Sequence, residues 1–235
     1  MPNTENKRPA APTGGKASKR QKGSGAAAVL APGAVAQFYS KSKDIDDLGC
    51  GRADWRRVLS NFHPCVIEVE GAKYASVEHA FHAAKARCSD KPSIAAAFEL
   101  GGSVPRDPLA AKRAGGRAGF AALGATLDAA RWDAARSGAV LAALRARYEV
   151  DAPFREILAA CHAKRLYLLH FERGGAKSYW GGSIRKADGE RVGANQLGCM
   201  LMELAATSGT AEAITSEVPE AVLPEAAASA NAPLL

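Results

Sequence analysis

The 235-residue sequence predicts a single compact, helix-rich α+β domain with a few short strands, flanked by two disordered tails. Helical spacing of apolar residues dominates the middle of the chain, and a pattern typical of a short β-hairpin precedes it. Both ends are rich in Ala and other small residues, so neither buries enough apolar area to offset the entropy of ordering. We expect residues 37–206 to fold around one hydrophobic core, and residues 1–36 and 207–235 to remain disordered.

The two tails carry opposite charge. Residues 1–36 hold six Lys or Arg and one Glu, whereas residues 206–235 hold four Glu and no basic residue. Because the whole chain has a formal net charge of +7, about +6 falls on the domain between the tails. A basic domain suits phosphate-bearing ligands such as nucleotides or nucleic acid, although Lys and Arg scattered on helices also serve solubility.

Two basic clusters in the N-terminal tail have the form of a bipartite nuclear localisation signal. Lys7 and Arg8 form the first cluster, and residues 19–22 form the second after a spacer. An extended chain can place such clusters on an importin, although a basic arm that only aids solubility has the same composition. We therefore expect a nuclear or cytoplasmic protein that binds importin through residues 7–22. Residues 1–25 fused to a cytosolic reporter should concentrate it in nuclei, whereas an even distribution would favour the solubility arm.

Several classes of protein are excluded by features that the sequence lacks. No apolar run approaches the roughly 18 residues that span a bilayer, and no N-terminal apolar segment suits secretion. The five cysteines are odd in number and include no C-x-x-C pair, which argues against a disulfide framework or a zinc ribbon. We therefore expect a soluble, intracellular protein in a reducing compartment, without membrane contact.

A hairpin followed by a helix is predicted in the first third of the domain, which begins near Phe38. Residues 67–70 alternate apolar and acidic side chains, Gly71 supplies a tight turn, and a second short strand ends at Tyr74. Ser76 follows as a helix N-cap, and no Pro or Gly interrupts the next three turns or so.

Helices dominate the rest of the domain, since helical spacing recurs in residues 94–100, 109–113, 127–148 and 154–163. Paired glycines and Pro153 break the pattern between these segments. A strand-like apolar run follows at residues 166–171, and a loop holding Trp180 comes next. Asn195 then begins a last helix that ends near residue 206.

The helix after Ser76 is predicted to have one apolar and one ionisable face. At about 100° per residue, His82 and Lys85 each fall within about 40° of Glu78. The simplest interpretation is a carboxylate near the positive end of the helix dipole with solvated neighbours, and the alternative is a residue that takes part in chemistry. The zincin motif His-Glu-x-x-His is absent, so we expect no metal site.

Short motifs of aromatic, polar and acidic residues are spread along the whole domain. They are Phe38-Tyr39-Ser40, Leu59-Ser60-Asn61-Phe62, Ser76-Val77-Glu78-His79-Ala80-Phe81 with Lys85, Trp132, Tyr179-Trp180-Gly181, and the segment from Asn195 to Leu204. Their order and spacing resemble the NADAR family, the YbiA-like N-glycosidases. The resemblance implies a small, helix-rich α+β domain that hydrolyses N-glycosidic bonds of phosphorylated ribosyl compounds. The family has been tied to early riboflavin-pathway intermediates and to ADP-ribose linked to guanine.

The resemblance also implies a set of site residues. Glu78 matches the essential glutamate of the family, and further matching positions that would line the pocket are Asn61, Phe62, Lys85, Trp132, Trp180 and Asn195. Cleaving a C–N glycosidic bond builds positive charge on the sugar, which a fixed carboxylate stabilises while it orients or deprotonates water. No cofactor is implied, because water and a carboxylate suffice for this hydrolysis.

His82 and Arg117 join the expected substrate-binding set. His82 shares the ionisable face of its helix, and Arg117 follows two glycines that could bring the chain close to an anion. Arg117 and Lys85 are therefore candidate phosphate contacts. Structural roles compete with these functions, since Trp132 fits a core position, Asn195 fits a helix N-cap, and Arg117 fits a solvated turn.

One departure from the family pattern affects the expected activity. Family members often carry an acid next to the Tyr-Trp-Gly element, whereas Lys177, Ser178 and glycine flank it here. Glu172 and Asp188 are the candidate replacements. A glycosidase therefore competes with a catalytically weak module that binds ADP-ribose or another nucleotide, and with a nucleic-acid-associated repair factor suggested by the basic tail and core.

Overall fold

Short strands and helices succeed one another along residues 28–216, which the computed structural model describes, with side chains for residues 29–207. The strands are β1 (Ala28–Val29), β2 (Val35–Phe38), β3 (Asp46–Asp47), β4 (Ile67–Val69), β5 (Ala72–Tyr74), β6 (Tyr167–His170), β7 (Ser183–Ile184) and β8 (Arg191–Val192). The α-helices are α1 (Trp55–Val58), α2 (Val77–Arg87), α3 (Pro108–Ala114), α4 (Arg117–Ala122), α5 (Ala129–Val150), α6 (Ala152–Ala163) and α7 (Gln196–Ser216). Two 3₁₀ turns occupy Pro92–Phe98 and Gly175–Lys177. The predicted helix-rich α+β class is thereby confirmed.

The strands pair two by two rather than in one sheet. β2 and β6 are parallel, with Val35 opposite Tyr167, and β1 and β3 are also parallel. β4 and β5 form the predicted antiparallel hairpin, and β7 and β8 form another. The β2–β6 pair brings together two segments that are distant in sequence. Because the strands are parallel, their C-terminal ends lie side by side.

Side-chain caps begin the main helices. Ser76 accepts a hydrogen bond from the N–H of His79 at the start of α2, as predicted. Asp107, Asp128 and Asp151 accept from N–H groups in the first turns of α3, α5 and α6. These caps satisfy backbone donors that have no partner within the helix, and each contributes about 0.5–2 kcal/mol.

The central element of the domain is α2, which is buried on nearly every side. It packs against α5 and against the 3₁₀ turn at Pro92–Phe98. Val77 and Ala83 are fully buried, and Glu78 and His82 are less than one-tenth exposed. The interpretation of His82 as a solvated neighbour of Glu78 is therefore wrong, because neighbouring elements cover that face of α2 as well.

One apolar core holds the helices and strands together. Its largest side chains, all with no exposed surface, include Trp55, Phe98, Leu144 and Phe154. Leu201 of α7 joins the same core, so the last helix is part of the domain. In the described region no helix combines the length and apolarity needed to cross a membrane.

The folded region begins earlier and its last helix runs further than predicted. β1 and β2 fall inside or across residues 1–36, and Ala36 is fully buried. Small residues contribute backbone bonds there, because the N–H of Tyr167 donates to the carbonyl of Ala34 at 3.0 Å. α7 continues to Ser216, beyond its predicted end. The predicted nuclear localisation signal and most of the C-terminal tail lie outside the described residues.

Two helical segments differ from their predictions. The helix expected at residues 94–100 is the 3₁₀ turn Pro92–Phe98, and Arg117–Ala122 forms α4 where no helix was expected. α4 starts at Gly116 without a side-chain cap and contains an internal glycine, so it carries no strong sequence signal. The other predicted helices and the strand at residues 166–171 are confirmed as α3, α5, α6 and β6.

Candidate active site

A cavity of about 350 Å³ opens where the first turns of α2 meet the ends of β2 and β6. Its lining residues are Tyr39, Ser40, Ser60, Asn61, Phe62, Glu78, Phe81, His82, Lys112, Val140, His170, Phe171, Glu172, Trp180 and Leu197. The wall combines aromatic and aliphatic side chains with convergent polar and charged groups, as a site for a small polar molecule requires. Across the described chain, no group of three or more His, Cys, Asp or Glu side chains is placed to hold a metal ion.

Glu78 lies in the first turn of α2, two residues after Ser76, whose backbone is extended. Its own N–H donates to the carbonyl of Asn61 at 3.1 Å, which fixes the helix start against the loop after α1. Ser76 Oγ lies 2.8 Å from His79 Nδ1, and His79 Nε2 lies 3.0 Å from the carbonyl oxygen of Pro105. The first turn is held from two sides, so Glu78 is presented to the cavity by rigid backbone.

His82 fixes the Glu78 carboxylate from one turn further along α2. His82 Nε2 lies 3.1 Å from Glu78 Oε1, and the two side chains are 6% and 11% exposed. His82 Nδ1 is buried and has no hydrogen-bond partner among the described residues. A proton on Nδ1 would be unsatisfied, so the network assigns the proton to Nε2, which donates to Glu78. The Phe98 ring stacks on the imidazole with 6.0 Å between centroids.

Gly115 leaves room for this imidazole. A Cβ added at Gly115 would lie 1.9 Å from His82 Nδ1, far inside van der Waals contact. The φ angle of Gly115 is −82°, which any residue adopts, so the need for glycine is steric rather than conformational. The glycine pair was predicted as a helix break and as a means of bringing Arg117 close to an anion, and Gly115 also shapes the site beside His82.

Aromatic rings form another wall of the cavity. Phe81 of α2 contacts Trp180 edge-on, with 5.6 Å between ring centroids, and contacts Trp132 in the same way at 5.1 Å. Phe62 adds a further ring, and Lys112 Nζ lies 5.5 Å from its centre. Rings arranged in this way favour flat aromatic ligands through stacking and edge contacts.

The loop that carries Trp180 is fastened to the start of α7. The four carbonyls of residues 178–181 accept hydrogen bonds from the N–H groups of residues 194–197 at 2.9–3.1 Å. These bonds satisfy the N–H groups at the start of α7, which have no acceptor within the helix. The neighbouring Tyr179 is held by Arg136, whose guanidinium carbon lies 3.6 Å from the ring centre. Trp180 is therefore positioned by an ordered loop.

His170 and Glu172 lie at the end of β6 and line the cavity. The Glu172 carboxylate accepts a hydrogen bond from Ser178 Oγ. Burial lowers the pKa of His170 from its ordinary 6.5, although the nearby carboxylates of Glu172 and Glu78 act in the opposite direction. A neutral imidazole therefore lies within electrostatic reach of both carboxylates of the cavity.

Acidification should destabilise the fold in part through His170. Because burial lowers the pKa of His170 in the folded state, the unfolded chain binds the proton more readily. The stability that neutral His170 supports is complete above about pH 6.5 and is lost as the pH falls through the folded-state pKa. Burial also lowers the pKa of His63, which adds a loss of the same sign.

Urea denaturation measures this effect. Between about pH 7.5 and about pH 5, the free energy of unfolding should fall less in His170→Gln than in the wild type, with His63 accounting for part of the remaining fall. Equal falls in the two proteins would contradict the assignment to His170.

Five predicted site residues meet in this cavity: Glu78, Asn61, Phe62, His82 and Trp180. They come from α2, from the loop after α1 and from the loop between β6 and β7. Asn61 Oδ1 is buried and has no hydrogen-bond partner in the described part of the chain. The site therefore contains an acceptor to which no described residue donates.

Trp132 and Asn195, also predicted to bind substrate, lie behind the cavity wall. Trp132 is 7% exposed and packs on Phe81, as its alternative core role requires. Asn195 Oδ1 accepts from the N–H of His170 at 2.9 Å, and its Nδ2 donates to the carbonyl of Leu168 at 2.8 Å. Its amide thus binds the backbone of β6, so both residues support the wall rather than form it.

Lys85 and Arg117, the predicted phosphate contacts, line a different cavity. Lys85 Nζ donates to the carbonyl of Gly115 at 2.9 Å. Because Gly115 also packs against His82, it stands between Lys85 and the carboxylate of Glu78. The helical angle that groups Glu78, His82 and Lys85 could not reveal this separation.

Tyr39, Lys112 and His170 line the cavity but were not predicted as site residues. Tyr39 belongs to the motif Phe38-Tyr39-Ser40, so its place in that motif could have identified it as a site residue. His170 ends a predicted buried strand, and the carboxyl ends of parallel strands are common ligand sites. That signal could be used only if the pairing of β2 with β6 were known. Lys112 is an exposed lysine on a short helix and carries no signal.

The two acids considered as replacements beside Trp180 lie in different places. Glu172 lines the cavity, whereas Asp188 lies in the turn between β7 and β8. Asp188 Oδ1 accepts from Arg185 Nε at 3.0 Å, and this bond lowers the pKa of Asp188. The second carboxylate of the cavity is therefore that of Glu172.

Two comparisons relate this chain to known proteins. A family profile described as NADAR domain matches residues 49–207, which include all of the cavity except Tyr39 and Ser40. The fold is similar to the NMR structure of the E. coli protein YbiA, with a TM-score of 0.54 and 24% sequence identity over 79% of this chain and 90% of that chain. No curated protein matches the sequence.

Proposed function

Because this chain belongs to the NADAR family, we propose that it is an N-glycosidase that hydrolyses the bond between a ribosyl carbon and a nitrogen in phosphorylated ribosyl compounds. The NADAR/YbiA family is generally N-glycosidase-like. The proposed substrates are of two classes: ribosylamino-pyrimidine intermediates of the riboflavin pathway, and ADP-ribose linked to a base. Glu78 is the proposed catalytic carboxylate.

The position of Glu78 is the observation that carries this proposal. Its side chain is 11% exposed in the first turn of α2, and one carboxylate oxygen binds His82. The other oxygen accepts no hydrogen bond from a described side chain, so it is available to water or substrate. The positive end of the helix dipole favours a negative charge at this place. Because the Glu78 side chain is largely buried, its charge acts more strongly on a developing cation than it would in bulk water.

The proposed reaction needs few groups. The C1′–N bond breaks and its electron pair goes to the nitrogen of the leaving base, which builds positive charge on the ribosyl ring. Glu78 stabilises that charge and accepts a proton from the water whose oxygen bonds to C1′. The departing nitrogen takes up a proton, for which Glu172 is the proposed donor.

The rest of the substrate is proposed to bind to the other walls of the cavity. The flat base would stack in the aromatic wall that contains Trp180. Asn61 Oδ1, which has no protein donor in the described region, would accept from a substrate hydroxyl or amine. Lys112 is the cation among the lining residues, so we assign it the phosphate contact that was predicted for Lys85 and Arg117.

Chromatographic detection of released base or ribose phosphate tests the proposal. The panel contains ribosylamino-pyrimidines of the riboflavin pathway, NAD, ADP-ribose and ADP-ribosylated guanine. Release by the wild type that is lost in Glu78→Gln would support the glycosidase and identify the substrate class. Binding of one compound without release from any would favour the nucleotide-binding module. Affinity for nucleic acid that falls steeply with salt would favour the repair factor.

The same assay separates the two acids. Glu172→Gln should slow release, because the departing nitrogen would lose its proposed proton donor. Asp188→Asn is the matched control, since its carboxylate is paired with Arg185 outside the cavity. Equal rates in the two variants would remove Glu172 from the mechanism.

Adding a methyl group at Gly115 should slow release by about 10²-fold, because a displacement of about 1 Å in a catalytic group costs that much. The new Cβ of Gly115→Ala would push the imidazole of His82 away from Glu78. Gly116→Ala is the matched control, because its Cβ would meet only carbonyl oxygens, at 3.3 Å or more. Release rates are compared with circular dichroism as the check of folding. A wild-type rate in folded Gly115→Ala would show that the His82 position does not matter.

A further inference from the structure

A second cavity lies beside Gly115, between α2, α4 and the segment before α5. Its volume is about 440 Å³, and Phe120 and Leu127 contribute to its apolar wall. Lys85 and Arg117 are the cations that line it, and no carboxylate among the described residues does so. This Lys85 cavity shares no lining residue with the cavity of Glu78.

Lys85 has few partners for a half-buried cation. Its Nζ donates to the carbonyl of Gly115 at 2.9 Å and lies 5.3 Å from the centre of the Phe120 ring. An ammonium group has three N–H donors, so donors remain for a ligand. Burial lowers the pKa of Lys85, and no carboxylate in the described part of the chain opposes that effect. An anion in the cavity would supply the missing counter-charge.

Arg117 provides a second cation at the edge of the same cavity. Its side chain is exposed, and its guanidinium forms no hydrogen bond or ion pair with any described residue. A guanidinium group binds the oxygens of a phosphate through two parallel hydrogen bonds. An ammonium and an unpaired guanidinium beside an apolar wall therefore combine phosphate recognition with space for an apolar group.

We propose that the Lys85 cavity binds an organic phosphate with a flat apolar body. Lys85 and Arg117 hold the phosphate, and the apolar body packs against Phe120 and Leu127. The volume falls within the range of about 300–1,000 Å³ that is usual for small-molecule sites. Because Gly115 separates this cavity from Glu78, the ligand is distinct from the substrate of the proposed hydrolysis and does not depend on that function.

Amide chemical shifts of the full chain test this site, with phenyl phosphate as the probe. Shifts should change at Phe120, Thr126 and Leu127. Inorganic phosphate and phenol should each bind more weakly, since the first lacks the apolar ring and the second lacks the phosphate group. Arg117→Met should weaken phenyl phosphate binding about tenfold, as expected when a charged hydrogen bond is lost. Lys85→Met should weaken it at least as much.

Arg113→Met is the matched control, because Arg113 is an exposed arginine of α3 that lines neither cavity. It should retain wild-type affinity. Equal affinity in Arg117→Met and Arg113→Met, or shift changes confined to residues around Glu78, would overturn the proposal. Arg117→Met gives the decisive result, because Lys85 also binds the backbone at Gly115 and its replacement could disturb the fold.

Discussion

Glu78→Gln is expected to lower the rate of base release by about 10³-fold or more. The amide oxygen keeps the size of the carboxylate and can still accept from His82 Nε2, 3.1 Å away, so the cavity should keep its shape. The variant loses the negative charge that stabilises the ribosyl cation and accepts a proton from water. Because this interaction strengthens in the transition state, kcat should fall while KM changes little.

Glu68→Gln is the control for this result, because Glu68 is an exposed glutamate of β4 that does not line the cavity. It should release base at the wild-type rate. Both variants should stay within about 1 kcal/mol of wild-type stability, since a charge at a helix N-terminus contributes only about 0.3–1 kcal/mol. A wild-type rate in Glu78→Gln would remove Glu78 from the mechanism and leave the family membership unaffected.

Arg147→Met is expected to lower the free energy of unfolding by about 3–5 kcal/mol, the cost of breaking a buried ion pair. Arg147 is fully buried in α5, where its Nε donates to Asp151 Oδ2 at 2.8 Å. It also donates to the carbonyl of Ser60 at 3.2 Å, and its guanidinium carbon lies 4.1 Å from the centre of the Phe154 ring. Methionine fills much of the space but leaves the Asp151 charge buried without its partner.

Urea or thermal denaturation measures this loss, with Arg145→Met as the control. Arg145 is an exposed arginine on the same helix, so its replacement should change stability by less than about 0.5 kcal/mol. The double variant Arg147→Met with Asp151→Asn should recover part of the loss, because Asn still caps α6 without the unpaired charge. Similar stabilities of Arg147→Met and Arg145→Met would show that the buried pair is not stabilising.

Arg147 also supports the site, because it donates a hydrogen bond to the carbonyl of Ser60, a residue that lines the cavity. The loop that follows carries Asn61 and Phe62. A weakened α5–α6 junction would therefore loosen one wall of the cavity before it unfolded the domain. We expect Arg147→Met to raise KM at temperatures where the protein is still folded.

Local elements and family membership could be determined from the sequence alone. The hairpin around Gly71, the cap at Ser76 and the first-turn position of Glu78 depend on residues close together in the chain, so periodicity and capping preferences predict them. The order of the short motifs similarly indicated the NADAR family. Elements without such local signals, including β1, β2 and α4, were missed.

Only the tertiary structure decided which side chains share the cavity. His170 joins Glu78 because β2 pairs with β6, and Lys112 joins them because α3 packs against α2. Gly115 separates Lys85 from the cavity, although Lys85 and Glu78 lie at similar angles around α2. Local patterns determine which face of an element is apolar. Contacts between distant segments depend instead on how all those faces pack into one core, and a single sequence does not report that packing.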